Sequence, residues 1–261
     1  MSIADKMLQL KQDIDDAYQA GYDKGVSEGG GNSGDSWYDT FWDAIQQNGD
    51  RRDYQYAFTG TMGWTDEIFK PKYKFINTTG VYGFSYMFQK HKGITKVTKD
   101  MFDLDNSISG YYAVYMFDSA EIKEVEYDLR KASSVQRLFQ NFKGESVTLH
   151  NYAHTYDATF GGATNLKHLR WINSSIPTTS KGFSLESCTL LDKESIIGTV
   201  NILKEYTDGR TSTLYLSRTA VMNAFNIEED AETGEFLPSE GLDEWNILIS
   251  PKLTNWTISL K

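Results

Sequence analysis

"YMFQKHKGITKV" at residues 86–97 and "YMFDSAEIKEV" at 115–125 share one frame: Tyr-Met-Phe, a short polar gap, then two aliphatic residues three apart. The frame recurs along the chain. Phe88, Phe117, Phe139, Phe160 and Phe183 stand 29, 22, 21 and 23 residues apart. The pairs Ile94/Val97, Ile122/Val125 and Leu166/Leu169 each begin five or six residues after their Phe. The Phe139 unit is degraded, with Val147 and Leu149 in place of the pair, and the Phe183 unit is weaker still. A period in the low twenties marks units that bury their apolar side only against their neighbours. The aliphatic steps are therefore expected to be short strands stacked in parallel, making residues 76–191 a solenoid.

The flanks read differently. Ile3, Met7, Leu10, Ile14, Ala17 and Gly21 alternate four and three apart, the seam of a short coiled coil, and residues 1–27 are expected to be an oligomerising helix. So short a helix is marginal alone in water and needs a partner. Residues 28–36, "EGGGNSGDS", have the composition of a flexible linker. Residues 37–75 are expected to cap the first repeat, opening with a helix that carries Trp37, Phe41, Trp42 and Ile45 and ends at Asn48-Gly49. From 192 to 261 the pattern changes to a helix capped by Asp192 in "DKESIIGTVNILKEY", an alternating strand "TSTLYLS" and a final strand in "NWTISLK". Together these make a carboxy-terminal helix–strand cap.

Composition narrows the function classes. The 261 residues carry a formal charge of −10, which argues against nucleic acid as a partner, because phosphate neutralisation needs clustered Lys and Arg. Aromatic residues make up 14% of the chain, suiting β-rich structure with aromatic surfaces. The single cysteine, Cys188, excludes an internal disulfide and a thiolate zinc cage within one chain. The start, "MSIADKMLQLKQDIDDAY", lacks the basic and apolar regions of a secretory signal, and no apolar run is long enough to cross a bilayer. A chain made in the cytoplasm without membrane insertion is the expectation.

The repeat units resemble degenerate BspA-type leucine-rich repeats. "DKESIIGTVNILKEYTDGRTSTLYLS" resembles the segment that closes such arrays in proteins of Firmicutes and their bacteriophages. The entry segment "YDTFWDAIQQNGDRRDYQYAFTG", the glycine-stepped "AYQAGYDKGVSEGG" and the terminal "NWTISLK" are similar to the same group, so the likeness runs from about residue 17 to the end. The asparagine ladder of regular leucine-rich repeats is absent. The fold class this implies is α+β: a short amino-terminal coiled-coil helix, then a degenerate leucine-rich-repeat β-solenoid with helical caps. The function it implies is that of a noncatalytic bacteriophage virion structural protein, of tail-fibre, baseplate or head-fibre type. Such a protein would assemble with itself, as a homotrimer, and with other virion proteins through its helix. Its repeat body would adhere to a bacterial cell-surface glycan or protein. A bacterial surface adhesin is the alternative, and an envelope-polysaccharide hydrolase a further one.

No catalytic, cofactor-binding or metal-binding residue is expected. His150, His154 and Asp157 in "LHNYAHTYD" would share a face only on a helix, and the run lies where strand or loop is expected. Carboxylates in "FDLDN" (102–106) and "EEDAETGE" (228–235) have the chemistry for glycoside hydrolysis, which turns on a distance between them that sequence does not display, and "DLDNS" lacks the spacing of an EF-hand calcium loop. The candidate contact surface is aromatic: Tyr111 and Tyr112 in "SGYYAVYMF", and Tyr152 and Tyr156 in "NYAHTY", whose rings and hydroxyls suit carbohydrate or protein.

Overall fold

In "EVEYD", "SVTLH" and "HLRWI" every second residue is apolar, and each run is a strand that turns those residues inward. The computed structural model describes residues 54–261 apart from 55–56, 61–64, 67–68, 70–73, 79, 155–157, 178–181, 205–208 and 253. Among the described residues the strands are β1 (Lys96–Val97), β2 (Tyr111–Tyr112), β3 (Glu124–Asp128), β4 (Ala132–Ser134), β5 (Ser146–His150), β6 (His168–Ile172), β7 (Phe183–Leu185), β8 (Ser212–Leu216) and β9 (Trp256–Leu260). The α-helices are α1 (Lys193–Asn201), α2 (Arg218–Phe225) and α3 (Glu240–Ile249), each opened by a side-chain cap from Asp192, Ser217 or Ser239.

Among these nine strands every pairing is parallel. One sheet has the order β1-β3-β5-β6, with Val97, Val125, Val147 and Leu169 in register across it. Its outer face is polar, and the Lys96–Glu124 and Lys99–Glu126 ion pairs, 3.0 and 2.8 Å long, cross between layers there. Between strands the chain runs through overlapping β-turns. The N–H groups of Ser85, Met87, Gln89 and His91 bond within their own run, and those of Tyr86, Phe88 and Lys90 reach the carbonyls of Val114, Met116 and Asp118 in the next layer. These bonds satisfy the backbone polar groups without a helix or strand, so the turn run can be packed against the core. Phe58, Phe88, Phe117, Phe139 and Phe160 stack through these runs, with centroids 5.1–5.6 Å apart. Phe117 also meets Tyr127 of β3 edge-on, which places the core between turn runs and sheet.

The architecture corrects the expected fold class. The chain is a mixed α/β structure whose parallel strands are divided among three sheets, not an α+β solenoid running through residue 191. The ladder stops at β6 because α1 docks on its far edge. The Leu169 N–H donates to Ser195 Oγ at 2.8 Å, the Asp192 N–H donates to the Lys167 carbonyl at 2.9 Å, and the Trp171 indole N–H donates to Thr199 Oγ1 at 3.0 Å. Phe183, expected to extend the stack, meets Phe160 edge-on at 75°, and its strand β7 joins β8 and β9 in a separate sheet. The remaining pair, β2 and β4, forms a two-stranded sheet of its own. The expected coiled coil over residues 1–27, with Ile3, Met7, Leu10, Ile14, Ala17 and Gly21, lies outside the described residues, as do the linker at 28–36 and the helix after Trp37. Among the described residues no helix is long and apolar enough to cross a membrane.

Candidate ligand-binding groove

β2 and β4 pair in parallel with a register shift between Tyr111 and Tyr112. Adjacent strand residues face opposite ways, so Tyr111 goes into the core while Tyr112, half-buried, lies at the surface. Tyr112 meets Tyr82 of the preceding layer edge to face, with centroids 4.9 Å apart, and Tyr82 is 50% exposed. Beside this pair, Tyr86 and Tyr115 stack at 5.2 Å and 10°. The guanidinium of Arg137 in the next layer lies 5.4 Å from the Tyr115 ring centre and donates to its hydroxyl. The four tyrosines, with Ser133, Ser134 and Gln136, line an open groove of about 500 Å³ that crosses three layers.

The backbone under the stack is strained. Tyr86, Tyr115 and Arg137 all have left-handed φ, of 59°, 54° and 56°. That conformation costs about 1–2 kcal/mol for an ordinary L-residue, and such residues cluster at functional sites. A second left-handed column runs through Lys90, Ser119, Asn141 and Gly162 and ends in residue types that tolerate it.

Of the tyrosines expected at the surface, Tyr112 lines the groove and Tyr156 lies outside the described residues. Tyr111 and Tyr152 correct the expectation, because both are fully buried. The Tyr111 hydroxyl accepts from Tyr127 at 3.2 Å and donates to the Asp128 carbonyl at 3.3 Å, and burial pushes its pKa well up. Tyr152 packs edge-on against Trp171 and Phe183. Sequence reasoning missed Tyr82, Tyr86 and Tyr115 as partners of Tyr112. The signal was the shared Tyr-Met-Phe itself, since Tyr86 and Tyr115 head the two copies.

Other reactive-looking groups are occupied. His150 meets Glu126 at 2.8 Å, whereas His154 packs on Tyr152 with its pKa pushed down to about 4 by burial. Asp157 lies outside the described residues. Both oxygens of Asp103 accept from Asn106, which holds its carboxyl below the usual range, and Asp105 pairs with Arg130 at 3.2 Å. Asp230 is lowered likewise by the N–H groups of Thr233 and Glu232. A glycosidase acid needs the opposite shift. Cys188 is buried, its thiol pushed up to about 12 by desolvation.

Ser195, His168 and Asp192 have the residue types of a hydrolytic triad but not its connectivity. His168 Nδ1 and Ser195 Oγ both bond to Asp192, on different oxygens, so the imidazole is not the base of the serine. Burial alone would raise Asp192, but bonds from Arg170, Ser195 and His168 outweigh it and hold the carboxyl far below the usual range. The cluster fastens α1 to β6. Among the described residues no group of three or more His, Cys, Asp or Glu could hold a metal ion. No family model, curated protein or solved structure matches the chain.

Proposed function

We propose that the protein is a noncatalytic adhesion module that engages a bacterial cell-surface ligand through the tyrosine groove. The observation that carries this is the pair Tyr86 and Tyr115: two bulky aromatic side chains on strained left-handed backbone, stacked at the wall of an open groove. The setting proposed is a bacteriophage particle, with the heptad-patterned residues 1–27 as the assembling stalk and the layered body as the contact surface. The resemblance to repeat proteins of Firmicutes and their phages supports that setting.

Two measurements test it. Labelled full-length chain is expected to sediment with cell walls of Firmicutes, and the Tyr82→Ala/Tyr112→Ala variant to lose at least about tenfold in that binding, as for removal of aromatic anchors. Peptide mass spectrometry of purified particles from the encoding phage is expected to find the chain. Retained wall binding in the double variant would remove the groove from the adhesive role; absence from particles would leave the bacterial-adhesin alternative.

A further inference from the structure

We infer that the groove takes a neutral, extended glycan lying along the direction in which the layers stack; this rests on the adhesive role just proposed. Four features converge on that ligand class. The first is charge. No groove-lining side chain carries a formal charge, although the chain as a whole is at −10. Arg137, next to Gln136, is spent on the ring and hydroxyl of Tyr115. A polyanion would meet the protein's own field with nothing left to pair it.

The second feature is hydrogen-bond polarity. Because Arg137 donates to the Tyr115 hydroxyl, the hydroxyl oxygen is an acceptor there and its proton is left to donate outward. Ser133 is arranged the other way, since its hydroxyl donates to the Gly110 carbonyl at 2.6 Å and leaves oxygen lone pairs for a ligand. Gln136 offers both roles. A ligand rich in hydroxyls satisfies such a mixture, whereas an apolar ligand would leave it unpaired.

The third feature is spacing. Tyr86 and Tyr115 are equivalent residues of successive layers, stacked 5.2 Å apart, with Arg137 on the far face of Tyr115. The column therefore lines the groove with tyrosine rings at a repeat close to the length of one pyranose residue in an extended chain. Half-exposed Tyr82, another lining residue, supplies an apolar ring for the C–H face of a sugar. The fourth is the backbone conformation. Tyrosine stands at 86 and 115 on left-handed backbone that glycine adopts without steric cost, and in both places its side chain lines the groove.

The test uses calorimetric titration of the full-length chain with cello- and N-acetylchito-oligosaccharides from monosaccharide to hexasaccharide, and with oligouronates of matched length. Neutral oligosaccharides are expected to bind, with affinity rising at least fivefold from mono- to disaccharide and with little dependence on salt. Tyr115→Gly is expected to abolish this binding while its Tm moves by less than about 5 °C, since relief of the left-handed backbone offsets the lost stack and glycine's greater unfolded-state freedom. Tyr115→Phe is expected to keep the stack and weaken binding several-fold by removing one donor. Three outcomes overturn the inference. Preference for uronates, or no affinity for any oligosaccharide, refutes the ligand class, and the adhesive role survives if Tyr115→Gly still abolishes wall binding. A sharp fall in Tm with neutral binding intact makes the column structural. Wall binding indifferent to Tyr115→Gly removes both.

Discussion

A buried histidine with one nitrogen committed and the other unpartnered titrates against its own fold. His91 is fully buried, and its Nδ1 stands 2.9 Å from the Phe58 carbonyl. A carbonyl only accepts, so Nδ1 carries the proton of the neutral ring, and Nε2 is buried with no hydrogen-bond partner. Protonation would place a charged N–H where nothing accepts it, and burial accordingly pushes the pKa below 6.5. With the folded value below the unfolded one, the unfolded chain binds more protons between the two. His91 therefore contributes stability that is complete above about pH 6.5 and lost as pH falls from there toward the folded value. His154, lowered to about 4, acts in the same direction. Urea midpoints are expected to drop between about pH 7 and about pH 5, and His91→Gln to flatten part of that slope at some cost at neutral pH. A profile unchanged in the variant would put the effect elsewhere.

At the level of elements, the decisive contact is the one that ends the first sheet. β6 offers an open edge, and α1 closes it with side chains: Ser195 Oγ accepts from the Leu169 N–H while hydrogen-bonding Asp192 and receiving Arg170 at 2.7 Å. Ser195→Ala strips the acceptor from a buried backbone donor, which costs about 1–3 kcal/mol. The expected result is a lower denaturant midpoint by that amount with an unchanged slope. Thr219, exposed on α2, is the control position, where Ala is expected to change little. How far such elements could be read in advance follows from what decides them. The in-register valines of β1, β3 and β5 follow from local spacing and alternation, which sequence displays. The choice of Tyr111 rather than Tyr112 as the inward residue does not, because alternation parts neighbours without saying which of the two turns inward. Nor do the left-handed positions under Tyr86 and Tyr115, since neither is a residue type that announces that conformation. The groove was thus half legible: its tyrosines stood out as a composition, but the pairs that build it did not.

For the whole molecule, the misjudged feature was continuity. Period alone cannot tell whether the next strand or a helix will take an exposed edge, because that choice lies in contacts such as Arg170–Asp192 across 22 residues and Trp171–Thr199 across 28. The result is a four-stranded sheet closed at β6 by α1, with β7, β8 and β9 in a sheet of their own. A groove carried on each chain has a consequence for adhesion. A shallow site on a single chain binds a short glycan weakly, whereas several grooves carried on one stalk act at high effective concentration and can gain about 10²–10⁴ in avidity. If residues 1–27 supply the stalk, charges placed in its seam should separate these two quantities. Light scattering of the full-length chain is expected to give a multiple of 29.7 kDa, and Leu10→Asp/Ile14→Asp to give 29.7 kDa. In that variant, affinity for a short oligosaccharide should be unchanged, because the groove lies in another part of the chain, while retention on cell walls should fall by at least tenfold. Equal wall retention in the two proteins would show that a single groove suffices and that the seam serves some contact other than self-association.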